Sequence, residues 1–112
     1  MGAKNKDQLQ GSIDLLVLRI LASSSESLHG YTIAERVESI SEDMLRIEEG
    51  SLYPALHRMD EAGWVKSRWG LSENNRRARY YAITRRGRAH LTQIEKDWAA
   101  HVDAVARVLR LA

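Results

Sequence analysis

Residues 49–63 read Glu49-Gly50-Ser51-Leu52-Tyr53-Pro54-Ala55-Leu56-His57-Arg58-Met59-Asp60-Glu61-Ala62-Gly63, and the fold follows from how this run divides. Leu52, Leu56 and Met59 recur at helical spacing and form one apolar stripe, which leaves Ser51, Pro54, Arg58 and Glu61 together on a free face. Gly63 suits the left-handed residue that closes a helix, and Trp64 just beyond it is placed to fold back onto Met59. Pro54 belongs in a first turn, where its missing amide hydrogen costs little, so the helix is expected to begin near Gly50 or Ser51. Such a helix packs by one side on a core and offers the other to a second molecule.

Downstream, the period changes from helical to alternating. Val65, Ser67 and Trp69 point one way and Lys66 and Arg68 the other, the pattern of a half-buried strand. Arg79-Tyr80-Tyr81-Ala82-Ile83 is rich in strand formers and answers it, and the polar stretch Ser72 to Arg77 between them is turn chemistry. Tyr80 and Tyr81 take opposite faces of their strand, so one belongs to the core and one to the surface; the sequence does not say which. The resulting hairpin has a charged tip.

Charge is segregated along the chain. Between Trp64 and His90 lie Lys66, Arg68, Arg76, Arg77, Arg79, Arg85, Arg86 and Arg88 against Glu73 alone, a local net charge of +7, whereas the whole chain carries +2. From Glu35 to Glu61 the balance is −5. A cluster of this kind attracts a phosphate backbone, because each cation that neutralises a phosphate releases condensed counterions.

Composition sets the outer limits. A chain of 112 residues, 44% of them hydrophobic, makes one domain with a modest core. The absence of cysteine removes disulfides and thiolate metal sites, and the four histidines, at 29, 57, 90 and 101, lack ligand spacing. No phosphate-cradling glycine loop and no nucleophile arrangement stands out, so neither an enzyme, a cofactor nor a metal is expected. The longest apolar stretch, Ile13 to Ala22, is interrupted by Asp14 and Arg19 and is too short to span a bilayer, and the first residues do not read as a signal peptide; no membrane partner and a cytoplasmic location are expected.

Two further helices precede the quoted run. Ser12 to Ala22 is apolar on nearly every side, as in a helix buried between partners, and Tyr31, Ile33, Ala34, Val37 and Ile40 describe an amphipathic second helix entered through His29-Gly30. A brief strand fits Leu45-Arg46-Ile47. Three helices followed by a hairpin is the order of a winged helix-turn-helix. From Thr84, a fitting N-cap, the chain continues as one long helix with Leu91, Ile94, Trp98, Val102, Val105 and Leu109 three or four residues apart. At about 1.5 Å per residue it reaches roughly 40 Å, beyond what a domain of roughly 13 Å radius of gyration can cover. Those six residues are therefore the expected dimerisation stripe of a homodimer. Trp98, large and flat, either sits opposite its symmetry mate as a candidate ligand pocket for a planar aromatic effector or serves as an ordinary dimer-core residue.

The segments Leu9-Gln10-Gly11-Ser12-Ile13-Asp14-Leu15-Leu16, Leu28-His29-Gly30-Tyr31-Thr32-Ile33-Ala34, Glu49 to Leu56 and Arg79 to Thr84 resemble, in this order, the PadR family of transcriptional regulators. The single C-terminal helix is similar to that of the smaller subgroup. The resemblance implies a bacterial dimeric repressor of double-stranded DNA, often tuned by a small molecule, with DNA contacts from Ser51, Tyr53, Pro54, His57 and Arg58 in the reading helix and Asn74, Arg76, Arg77 and Arg79 in the wing. The expected architecture is mostly α with a small β-hairpin: a flexible arm over 1–10, a winged helix-turn-helix over 11–83 and a dimerisation helix over 84–112. The competing reading is a winged helix that contacts protein through its acidic side, without specific DNA binding.

Overall fold

The computed structural model describes residues 2–111, with side chains from residue 12 onward. Four helices and three strands follow in the order α1 (Gly2–Ala22), β1 (Leu28–His29), α2 (Gly30–Ile40), α3 (Glu49–Glu61), β2 (Val65–Leu71), β3 (Arg77–Ile83) and α4 (Arg85–Leu109). The strands form one antiparallel sheet in the order β1-β3-β2. The arm expected over residues 1–10 falls among residues whose side chains lie outside the described ones.

One core joins these elements. Ile13, Val17, Leu18 and Leu21 of α1 meet Ile33 and Val37 of α2, the α3 stripe of Leu52, Ala55, Leu56 and Met59, then Val65, Tyr81 and Leu91. The stripe predicted for α3 is thus the side that packs, and truncating a fully buried Leu56 or Met59 to Ala costs about 2–5 kcal/mol. Tyr81 is the buried tyrosine of its pair. Its burial pushes the phenol pKa above its ordinary value. Tyr80 lies on the opposite face, where its hydroxyl donates to the Leu71 carbonyl at 2.9 Å and its ring meets His29 edge-on.

Three local expectations are corrected. No strand forms at Leu45-Arg46-Ile47; the third strand is Leu28–His29, whose residues pair with Tyr81 and Tyr80. Helix α3 starts at Glu49, so Pro54 stands in the second turn, not the first. The residue four back is Gly50, which is exposed, so the carbonyl deprived of its helical partner is left to solvent. In α2, Tyr31 and Ile40 are exposed although they belong to the apolar pattern, because the core takes up Ile33 and Val37 with Ala34 beside them, and the other two lie off that side.

The junction between α3 and α4 is built as its residue types require. Gly63, at φ 81°, lets its N–H reach Asp60 O and the Trp64 N–H reach Met59 O, both at 3.0 Å, the paired bonds of a Schellman end. The Trp64 ring packs against the core that holds Met59 and stacks on His90 of α4 with centroids 3.7 Å apart. Thr84 caps α4, accepting from the Gly87 N–H at 3.0 Å while donating to the Gly63 carbonyl at 2.6 Å. The end of α3 and the start of α4 are therefore one hydrogen-bonded unit.

Helix α4 gives the molecule its length, 58 Å against 29 and 28 Å in the other directions. Of its six stripe residues, Leu91 is buried in the core, contrary to its place in the expected dimerisation stripe, and Ile94 is half-buried against the same core. The first turns of α4 lie along α1, which accounts for the difference. Trp98, Val102, Val105 and Leu109 lie farther along and are exposed, joined by Val108.

Candidate nucleic-acid interface

The accessible side of α3 carries Tyr53, Pro54, His57 and Glu61, with Ser51 half-buried at its edge. Tyr53 is 46% exposed, and its ring lies over the start of α2. A Cβ on Gly30 would stand 2.8 Å from its Cε1 atom. The glycine thus lets the two helices of the helix-turn-helix approach, and Tyr53 is both a packing residue by one face and an accessible one by the other. His57 is held by Glu61, with Nε2 and Oε1 2.9 Å apart one turn on.

Arg58 is not free. Its Nη1 and Nη2 donate to Oδ2 and Oδ1 of Asp14 at 2.9 and 2.7 Å, a two-pronged pair across 44 residues of sequence. Asp14 is the buried charged residue of the core, 6% exposed, and its carboxylate raises the Arg58 pKa further through this bond. The helical spacing that sets Arg58 beside Ser51 and Pro54 does not register α1 as a second neighbour. Arg58 braces the reading helix against α1, and its placement on a free face is corrected accordingly.

The wing is β2, β3 and the turn between them. Ser72 orders the tip: its carbonyl accepts from the Asn75 N–H at 2.9 Å, its N–H reaches Arg76 O at 2.8 Å, and its hydroxyl accepts from the Arg76 N–H at 3.2 Å. Asn75 supplies the left-handed residue, φ 58°, that the turn needs. Asn74, Arg76 and Arg77 project from this tip and are exposed. Arg79 is exposed as well but tied down, its Nε donating to Ser67 Oγ at 3.0 Å, while Ser67 Oγ donates to Asp60 Oδ2 of α3 at 2.8 Å. Both Arg77 and Arg79 lie over the Trp69 ring, with guanidinium carbons 4.5 and 5.5 Å from its centroid. On the opposite face of the hairpin Arg68 lies over Tyr80 and donates to Ser27 Oγ at 3.1 Å.

A helix with one open side, beside a basic hairpin bonded to it through Asp60 and Ser67, has the shape and charge to straddle a polyanion strand. Comparison with known proteins decides the class. Residues 17–93 match the transcriptional regulator PadR-like family. The chain belongs to that family. A transcriptional regulator from Clostridium thermocellum superposes with a TM-score of 0.79 at 27% identity, over 90% of this chain and 96% of its own. A PadR-like transcriptional regulator from Bacillus cereus does so with a TM-score of 0.69 at 26% identity, over 96% of both chains. An uncharacterized protein of Lysinibacillus sphaericus is 26% identical over 93 residues, 83% of this chain and 84% of its own length.

PadR-like proteins are transcriptional regulators and not enzymes, and this chain is a DNA-binding regulator of transcription built on a winged helix. Among the described residues no group of three or more His, Asp or Glu side chains is placed to hold a metal, and no helix is long and apolar enough to cross a membrane. Sequence spacing misses two features of the interface. One is the Asp60, Ser67 and Arg79 bridge between α3 and the wing; the other is the outward face of Trp69, 53% exposed, which alternation groups with buried Val65. The signal for the second is present in the sequence, as a tryptophan among arginines at the far end of a hairpin.

Proposed function

We propose that the protein is a homodimeric repressor that reads an inverted-repeat operator with two α3 helices in successive major grooves and two wings along the backbone or minor groove. In this reading Ser51, Tyr53, Pro54 and His57 meet base edges and sugars, and Asn74, Arg76, Arg77 and Arg79 meet phosphates and groove walls. Arg58 acts from behind by holding α3. The observation that carries the dimer is the exposed stripe of Trp98, Val102, Val105, Val108 and Leu109, an unpartnered apolar row on a helix of about 37 Å. Two-fold symmetry through that stripe sets the two reading helices for half-sites about 34 Å apart.

The two Trp98 rings near such an axis are the candidate seat for a planar aromatic effector. An effector there acts only by binding one spacing of the reading helices better than another. The path for that change is short: α4 is tied to the end of α3 through Thr84, Gly63 and the Trp64 and His90 stack. The protein-contact alternative keeps one observation in its favour, the carboxylates of Glu48, Glu49 and Glu61 flanking α3, which repel phosphates.

Two measurements test the proposal together. Sedimentation at micromolar concentration is expected to give a dimer, with a melting temperature that rises with protein concentration. Footprinting on the DNA next to its own gene is expected to protect an inverted repeat with half-sites about 10 base pairs centre to centre, or a multiple. A fully folded monomer, or an asymmetric single-site footprint, contradicts it.

A further inference from the structure

The basic wing carries an exposed tryptophan that neither the fold nor the reading helix requires. Trp69 stands directly across from Arg79 in the hairpin register, and Leu71 across from Arg77. On that face the side chains form one continuous row from the reading helix outward: Asp60, Ser67, Arg79, Trp69 and Arg77. Each link differs in kind. Ser67, itself bonded to Asp60, fixes Arg79 by a hydrogen bond and Asp60 adds an ion pair at 3.9 Å, whereas the Arg77 side chain makes no hydrogen bond or ion pair among the described residues and has the indole as its neighbour. A flexible arginine that is to meet a phosphate loses rotamer freedom on binding, and one already lying on an aromatic face has lost part of it beforehand. The same ring also takes the Arg79 guanidinium, with carbons 4.5 and 5.5 Å from its centroid for Arg77 and Arg79, each cation drawn to its electron-rich system.

We propose that Trp69 is a positioning residue for DNA binding: its indole holds Arg77 beside the anchored Arg79, so that the two meet one phosphodiester strand as a preset pair. The inference rests on the DNA interface proposed above. It separates the wing into residues that act alone, Arg76 at the tip, and a pair whose geometry an aromatic ring sets. Trp69 is exposed by half and stands outside the core cluster, so its replacement is expected to leave the fold in place.

The test is duplex binding by Trp69→Leu and Trp69→Phe, in the full chain, at fixed salt. Leucine keeps apolar bulk without a ring, and phenylalanine keeps a smaller ring. Trp69→Leu is expected to weaken binding to specific and random duplexes alike by about fivefold, the worth of one exposed cation–π contact, and Trp69→Phe to recover most of it. Arg77→Ala is expected to cost less in the Trp69→Leu background than in the wild type, since its pose is already gone there. In the free protein, the Arg77 side-chain NMR resonances are expected to be shifted by the ring current and to return to ordinary positions in Trp69→Leu. Leucine binding as tightly as wild type, or additive losses in the cycle, overturns the positioning role while leaving DNA binding intact. A wild type without salt-dependent duplex binding overturns the interface itself, and unshifted Arg77 resonances in the free protein overturn the stacking independently of DNA.

Discussion

The reading helix and the wing each carry arginine, yet they use it in opposite ways. In α3, Arg58 is taken up by Asp14 and His57 is held by Glu61, so the helix presents hydroxyl, ring and proline surfaces to the outside. In the wing, Arg76 and Arg77 meet no carboxylate among the described residues. The contrast follows from packing. A helix set in a groove between α1 and the sheet has neighbours on several sides, and a buried carboxylate on one of them captures the nearest guanidinium. The end of the hairpin that extends past the core has few neighbours, so Arg76 and Arg77 stay available for a polyanion. The expected division of labour is specificity from the helix and electrostatic affinity from the wing.

The largest effect expected from breaking this contrast falls on stability. Arg58→Ala leaves the Asp14 carboxylate buried without a partner, and the protein is expected to lose about 2–3 kcal/mol, below the roughly 3–5 of a wholly buried pair because Arg58 keeps a wet edge. Thermal melting is expected to show this as a fall of roughly 10 °C or more. Replacing both partners by apolar residues, Asp14→Leu with Arg58→Met, is expected to restore most of it. An Arg58→Ala protein that melts like wild type would return Arg58 to the surface and to the DNA contacts.

A smaller effect, on binding alone, is expected from the wing. Arg76→Ala with Arg77→Ala changes stability by no more than about 0.5 kcal/mol, as for exposed residues in general. Its affinities for specific and random duplexes are expected to drop by similar factors, and the salt slope to become shallower by about 0.9 for each phosphate that is no longer neutralised. Unchanged affinity and slope would mean that the wing faces solvent in the complex.

Much of this arrangement is legible in the sequence. The Leu52, Leu56 and Met59 stripe, the Gly63 closure, the hairpin and the Thr84 cap are local patterns, each written within a few residues, and each forms as read. What is not legible depends on distant partners. The strand β1 is two residues long, too short for a period to register, and exists because β3 offers it an edge. The Asp14 and Arg58 pair joins residues that no spacing rule connects. The point along α4 at which its stripe passes from covered to exposed, between Ile94 and Trp98, is set by how α1 lies against it and not by the heptad-like pattern, which continues unbroken. Alternation alone puts Trp69 on the inner face, since period two says which side a residue takes and not how far the core extends beneath it.

The division between helix and wing is tested most directly by one ratio, the affinity for the operator over that for a random duplex of equal length, measured at one salt concentration for wild type, Tyr53→Ala and the Arg76→Ala, Arg77→Ala double variant. Tyr53→Ala is expected to lose specific affinity while keeping its fold and most non-specific binding, so that the ratio falls by about tenfold, the discrimination of one modest base contact. The double variant is expected to keep the ratio within about twofold while both affinities fall. A ratio that collapses in the wing variant and survives in Tyr53→Ala would contradict the assignment of reading to α3 and of electrostatic holding to the wing.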